Sequence, residues 1–455
     1  MSQPMAPGHR DLTWFGQPRG LTILFLTEMW EQFSYYGMRA LLVYYMTRQL
    51  MMGQERASLT YGTYTAIAYF TPIFGGMLAD RRLGKRRAVV IGGTIMAIGH
   101  FLMAFPPLLY IALATIALGN GLFLPSLPSQ INDLYGPHDP RRGRAYNIYY
   151  VGVNIGGFLA PLICGTLGEF YGWHWGFAAA GVGMLLGLTI YVLGGKYLPE
   201  AKAQAPGGES HSCAVGSAAV GAQGSCKPTR HAGTFLVLAA VGVAVTIFRG
   251  AYEQVGNTVA LWADIGIDRH TSAAVIPMTW FQSLNPLLVF LLTPLLLARW
   301  RRRAEQGTEA SAMRKMALGA FIVALAYSLL AMVSALAGAE RASWIWLVVF
   351  FVIFTLGELY ILPTGLGLFA RLAPTGFAAT TVAAWFLAIF TGSLTAGAVG
   401  TLWSSMPHAE FFVILALLAL AAAGMLLTMD RATCRIEAAR ANESATTRLA
   451  DAPGQ

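Results

Sequence analysis

The chain has 455 residues, a mean hydropathy of +0.54 and only 12% charged residues, against about 25% in an ordinary soluble domain. That composition excludes a soluble globular protein and predicts an all-α membrane protein, because twelve helices of about 20 residues fit this length. The formal net charge of +9 does not mark a nucleic-acid binder, since the basic residues cluster in short loops between apolar runs, as in cytoplasmic loops.

Residues 1–20 are polar and form an N-terminal tail. Six apolar runs follow, at 21–48, 57–79, 87–105, 107–131, 145–167 and 174–196, so that 21–196 reads as one six-helix bundle. The first run is too long for a signal segment and carries Glu28, Glu31 and Arg39, so it is expected to be retained. Residues 197–232 are rich in Gly, Ala and Ser, and no stretch there is long enough to span a bilayer, so they read as a flexible linker. A second set of runs lies at 233–263, 273–299, 315–337, 342–370, 376–402 and 408–430, giving a second bundle over 233–430 and a tail over 431–455. Two bundles around a polar linker predict a site between them near the membrane midplane.

Lysine and arginine set the orientation. The loop after the second run holds Arg81, Arg82, Lys85, Arg86 and Arg87, the loop after the fourth Arg141, Arg142 and Arg144, and the loop after the eighth Arg299, Arg301, Arg302 and Arg303. Alternate loops hold single charges such as Arg269 and Arg341. Both termini and the linker are therefore expected on the cytoplasmic side of a multi-pass protein of the cell (inner) membrane. The four cysteines are scattered without a CxxC pair, so neither a disulfide framework, a metal site nor a cofactor is expected. Cys213 and Cys226 near His211 and His231 read as loop residues.

A charge at the centre of a membrane helix costs about 2.5–3.5 kcal/mol on insertion scales and so marks a functional candidate. At 3.6 residues per turn Glu28, Glu31, Gln32, Tyr35, Tyr36 and Arg39 share one face of the first helix. That polar stripe serves either as a salt bridge between helices or as a relay for protons or substrate. The seventh run adds Arg249 and Glu253 one turn apart, and the tenth adds Glu358. Packing the first helix beside the seventh would bring Arg39 and Arg249 to Glu253, Glu28 and Glu31. His100, alone among apolar residues of the third run, reads as a hydrogen-bonded packing residue, and Asp133 and Asp264 lie near span ends, where interfacial roles are expected.

These residues resemble the proton-dependent oligopeptide transporter family, a branch of the major facilitator superfamily. Its helix-one signature, E-x-x-E-R-F-x-Y-Y-G, is matched by Glu28-Met-Trp-Glu31-Gln32-Phe33-Ser34-Tyr35-Tyr36-Gly37 except at one position. Gly76 to Arg86 is similar to the superfamily's cytoplasmic gating motif, Tyr149-Tyr150-Val151-Gly152-Val153-Asn154 to the helix-five segment, and Tyr252-Glu253-Gln254 to F-E-Q of helix seven. Phe281-Gln282-Ser283-Leu284-Asn285-Pro286 reproduces F-Q-S-L-N-P, while Gly357-Glu358-Leu359 with Pro363-Thr364-Gly365-Leu366 resembles helix ten and Trp385-Phe386-Leu387 helix eleven.

The resemblance implies a major facilitator fold and a proton-coupled symporter importing di- or tripeptides or related small zwitterions by alternating access. Glu28, Glu31 and Glu253 would serve proton coupling. Tyr35, Tyr36, Arg39, Tyr69, Asn154, Arg249, Asn285, Glu358 and Trp385 would bind substrate, with Glu358 meeting an amino group. Asp80, Arg81, Gly84 and Arg86 would form the gate. The protein is expected to work as a monomer.

Three departures stand out. Gln32 replaces the signature arginine, Leu124 stands in the helix-four segment where the family carries lysine, and Arg249 replaces a tryptophan one turn before Glu253. Arg249 either receives a substrate carboxylate in place of the lost lysine, or only balances Glu253 or snorkels to an interface. The short linker leaves no room for the two extra helices of many bacterial relatives, so twelve spans are expected and not fourteen. Carriage of a non-peptide solute, such as a modified amino acid, an organic anion or a drug-like compound, is the second reading. A membrane enzyme is the distant third, for want of a catalytic cluster in the spans.

Overall fold

A computed structural model describes residues 13–14, 16–136, 139, 141–199, 232–272, 274–338, 340–373 and 377–450. Most of the linker, with Cys213, Cys226, His211 and His231, lies outside the described residues. The first half contains α1 (Arg19–Tyr44), α2 (Gln54–Leu78), α3 (Lys85–Leu102), α4 (Leu109–Asp133), α5 (Arg141–Phe170) and α6 (Trp173–Leu193). The second contains α7 (Ala232–Tyr252), α8 (Thr258–Ile265), α9 (Trp280–Glu305), α10 (Ala312–Ala337), α11 (Trp344–Arg371), α12 (Ala378–Gly400) and α13 (His408–Ala450). Among the described residues nine helical stretches are long and apolar enough to cross a membrane; α1, α2 and α3 fall short of that apolarity, and α1 carries the polar stripe.

Small residues let the helices approach. A β-carbon at Gly75 of α2 would stand 2.0 Å from the Gly121 carbonyl oxygen of α4, and Asn120 of α4 donates to the Ala68 carbonyl at 2.9 Å. Across the two halves, a β-carbon at Gly62 of α2 would lie 2.5 Å from the Gly397 Cα of α12. Backbones this close forbid any side chain at those positions. Within the halves α1 packs on α5 and α6, α3 on α4, and α10 on α11 and α13, while α2 with α12 and α5 with α9 form the seams between halves.

Two expected spans differ. The seventh run is not one helix: a 3₁₀ turn at Glu253–Gly256 interrupts it, and Asn257 leaves helical geometry (φ −115°, ψ −92°). Side chains tie the break, since Asn257 Nδ2 and Thr258 Oγ1 donate to Gln254 Oε1 at 3.3 and 2.9 Å, and Gln254 Nε2 donates to the Ala396 carbonyl at 2.8 Å. Irregular backbone at membrane depth is tolerated where its polar groups are paired and buried in protein. The eighth run starts as a helix at Trp280, not near 273, because Ile267–Asp268 pairs in parallel with Ala342–Ser343 and Arg269 accepts a strand-like bond from Ile276.

Two ends can be told apart. The basic end carries the arginine clusters. There Gly84 takes φ +76°, Arg86 donates to the Gly195 carbonyl at 3.2 Å and Lys85 pairs with Asp133 at 2.8 Å. Asp80 and Arg81 are exposed in the π turn Ala79–Leu83. Bidentate bonding by Arg141 holds the Asp139 carboxyl below its usual range. The distal end holds the start of α2, the end of α5, α8 and the end of α12. His100, expected to be hydrogen-bonded, is instead fully buried with no partner at either ring nitrogen among the described residues.

Candidate functional site

The break in α7 turns Glu253 toward α1. Its Oε2 accepts from Arg39 Nη2 and its Oε1 from Arg249 Nη2, so one carboxylate bridges a guanidinium from each half. Glu253 is 1% exposed and Arg249 2%. Arg39 also donates from Nε to Tyr61 Oη of α2 at 2.7 Å. The Arg249 guanidinium carbon lies 5.2 Å from the Tyr69 ring centre and 4.8 Å from that of Tyr252, so two aromatic faces bracket it, with Tyr69 coming from the first half. Cation–π contact of this kind adds about 2 kcal/mol when desolvated. Among the described residues the Arg249 Nε is buried with no hydrogen-bond acceptor of its own.

Tyr252 connects this triad to a second acid. Its hydroxyl donates to Glu358 Oε1 at 2.7 Å, and Asn285 Nδ2 donates to Glu358 Oε2 at 2.5 Å and to Thr355 Oγ1 at 3.1 Å. Two arginines and two glutamates thus balance in formal charge, with Glu358 held by neutral donors. Tyr35 and Tyr36 lie edge to face, centroids 5.5 Å apart, on the same α1 face as Arg39.

The expected meeting of Glu28 and Glu31 with the arginines does not occur. Gln32 Nε2 donates to Glu28 Oε1 at 3.1 Å and to Glu31 Oε2 at 2.8 Å, forming a separate acidic pair toward the basic end. The reason is distance along the helix, since Glu31 stands eight residues, about 12 Å, from Arg39. Asn154 Nδ2 turns back to the Tyr150 carbonyl at 2.8 Å. Trp385 is buried in the second half's core, edge-on to Phe369 at 5.3 Å and over Gly365, rather than beside the charged cluster. Sequence reasoning missed Tyr252 and Tyr61, which hold Glu358 and Arg39; the signal was available in the tyrosines of α2 and in the Tyr252-Glu253-Gln254 motif. Among the described residues no group of three metal-ligating side chains occurs.

The sequence profile of the POT family matches residues 86–221 and 222–416. The chain is 33% identical to the uncharacterized transporter YclF of Bacillus subtilis (strain 168) over 91% of its own length and 94% of that protein. It is 31% identical to a di-/tripeptide transporter of Lactococcus lactis subsp. lactis (strain IL1403), covering 92% and 97% of the two. A crystal structure of a peptide transporter POT in complex with sulfate superposes with a TM-score of 0.84 at 29% identity, covering 94% of this chain and 97% of that one.

Proposed function

The chain belongs to the POT family of transporters, and on that premise we propose that it is a proton-coupled symporter of di- or tripeptides working by alternating access. Its relatives are transporters and not enzymes, which sets the membrane-enzyme reading aside. In this proposal twelve spans form two six-helix bundles, over 21–196 and 233–430, without inserted helices, and α7 with α8 makes one interrupted span. The basic end faces the cytoplasm with both termini, the protein sits in the cell membrane, and it acts as a monomer.

The observation that carries the reading is Glu253 bridging Arg39 of one half and Arg249 of the other beside Glu358. Burying three charges is sustainable only while each is paired. A proton on Glu253 weakens the bridge and frees two guanidiniums to take a substrate carboxylate, while Glu358 takes the ammonium. Losing the bridge loosens the halves where they meet, and that is how a proton gradient would bias rocking. Asp80, Arg81, Gly84 and Arg86 then act at the cytoplasmic gate.

Purified protein in proteoliposomes should concentrate a radiolabelled dipeptide when the outside is acidified, and do so only with the gradient. Uptake of the same size with and without a pH gradient refutes proton coupling. Leu124 in α4 favours the second reading, a non-peptide solute, because no cation there meets a peptide's carboxylate. A competition panel in which an organic anion or modified amino acid displaces the dipeptide, and is itself accumulated better, would establish that reading instead.

A further inference from the structure

Away from the charged site, α2 and α4 leave a groove on the outer side of the first half. The two helices touch near their middles, where Asn120 donates to the Ala68 carbonyl and Thr71 Oγ1 to the Ala117 carbonyl at 2.8 Å. Toward the distal end they part and enclose a groove of about 510 Å³. Its walls are mostly apolar and include Leu59, Leu113, Ala114 and Leu118. Ser58 and Gly62 mark the face of α2 that meets the second half, and Tyr61 the face toward Arg39. Arg56, Thr60, Thr63 and Ile67 share a different face at helical spacing, and all four line the groove. That face therefore looks outward to the bilayer.

Three of those four residues are out of place against hydrocarbon. Thr63 is exposed and Thr60 half-buried, yet among the described residues neither hydroxyl forms a hydrogen bond. Other outward-facing threonines close on their own helix. Thr94 donates to the Val90 carbonyl at 2.8 Å, and Thr115 and Thr189 donate to the Ile111 and Leu185 carbonyls at 2.7 Å. A hydroxyl left open in the hydrocarbon layer, where no water reaches, is costly. At the mouth of the groove Arg56 is exposed and donates from Nε to Tyr110 Oη at 3.1 Å. Among the described residues no carboxylate pairs with it, so both of its terminal amino groups are open to an anion.

We propose that this groove binds one phospholipid of the distal leaflet, with an anionic headgroup. From the water inward such a lipid offers a phosphate, then ester carbonyls, then acyl chains. The groove offers the complements in the same order. Arg56 and the Tyr110 hydroxyl stand at the mouth and take the phosphate, the guanidinium fork matching two of its oxygens. Thr60 and Thr63 lie about 6 and about 10 Å further along the helix axis, and their open hydroxyls donate to the ester carbonyls. Beyond them Ile67, Ala114 and Leu118 bed one acyl chain. A headgroup of net negative charge is preferred, because the ammonium of a zwitterionic lipid would share the mouth with Arg56 and be repelled. The site is independent of which solute the protein carries.

The test is native mass spectrometry of the full-length, delipidated protein, titrated in detergent with phosphatidylglycerol or with phosphatidylcholine of the same chains. The wild type should take up one phosphatidylglycerol at a lower concentration than any phosphatidylcholine. Arg56→Gln should raise the apparent Kd of that first phosphatidylglycerol about tenfold, the loss of one hydrogen bond to a charged group. Thr60→Val combined with Thr63→Val, which removes two hydroxyls and little volume, should weaken it as well. The valine pair decides the matter if Arg56→Gln fails to fold. Equal affinity of the wild type for the two lipids, or a phosphatidylglycerol titration that the variants leave unmoved, would overturn the proposal. Dimers that persist after delipidation and exclude added lipid would assign the groove to a second copy of the chain instead.

Discussion

The two ends of the molecule are held together in different ways. At the distal end the bonds cross between the halves. Arg48 pairs with Asp264, Arg269 with Glu169 at 2.8 Å, Tyr44 donates to the Ala260 carbonyl at 2.7 Å and Ser58 to Asn257 Oδ1 at 3.0 Å. Glu169 accepts in addition the Met278 amide at 2.9 Å, and Gln54 of α2 reaches the Gly400 carbonyl of α12 at 2.8 Å. At the basic end, among the described residues, the bonds recorded stay within a half: Lys85 with Asp133, Tyr135 with Gln17, and Ser311 and Arg314 with Asp430. Polar lacing across a seam fixes the halves against each other, whereas lacing within a half only stiffens that half. The same chemistry thus closes one end and leaves the other free to part, which is the asymmetry an alternating carrier needs.

Glu253 bridges the two halves through Arg39 and Arg249, and breaking it has the largest expected effect. Glu253→Gln leaves Arg39 and Arg249 buried against a neutral amide. It should cost about 3–5 kcal/mol, read as a lower melting temperature in detergent, and should abolish gradient-driven uptake. A variant as stable as the wild type would mean the bridge does not hold the halves.

Next comes the glycine seam. Gly62→Leu puts a side chain into the Gly397 backbone. Overpacking of this kind costs about 1–3 kcal/mol, and the strain is relieved by parting α2 from α12. Spin labels on the distal ends of those helices should move apart relative to the parent protein; an unchanged distance distribution would show that the seam yields locally.

Asp264→Asn is expected to be milder, because Arg48 is half exposed and its attraction is screened by solvent. A loss of about 1 kcal/mol with faster modification of a cysteine placed at Ser58 is the expected result. The matched change at the basic end, Lys85→Ala, should leave both readouts unmoved.

The smallest effect belongs to Asp139. Its carboxyl titrates below the ordinary range because Arg141 bonds it. A depressed acid stabilises the fold above its unfolded titration range, and this contribution is lost as the pH falls through its folded value. Asp139→Asn should therefore lower the melting temperature slightly at neutral pH and leave it unchanged at pH values below the folded titration of Asp139, so that the acid limb flattens. An equal loss at neutral and strongly acid pH would place Asp139 in some other role.

Much of this was legible in the sequence. The polar stripe on α1, the Arg249–Glu253 spacing and the arginine clusters follow from helical periodicity and from the expense of charge in an apolar run. Tertiary choices were not legible. Whether Glu28 and Glu31 meet Arg39 or Gln32 depends on which side chains reach each other within one stripe. That Glu253 lies on a broken turn depends on Gln254, Asn257 and Thr258 bonding one another, and composition gives no sign of it. The late start of α9 is set by a two-residue ladder between Ile267–Asp268 and Ala342–Ser343, contacts distant in sequence. Trp385 carried a motif but serves the core, because Gly365 leaves its ring a place to lie.

The last helix has a mechanical consequence. α13 is a single run of 43 residues, about 64 Å at 1.5 Å per residue, while the hydrocarbon layer is only about 30 Å thick. Roughly half of the rod must therefore project beyond the bilayer. Its near part is riveted to the second half through Asp430, held by Ser311 and Arg314. A stiff arm fixed at one point turns a small tilt of its base into a long sweep at its tip. A fluorophore near the tip of α13 would then act as a pointer, displaying the rocking of that half at several times its amplitude in the membrane.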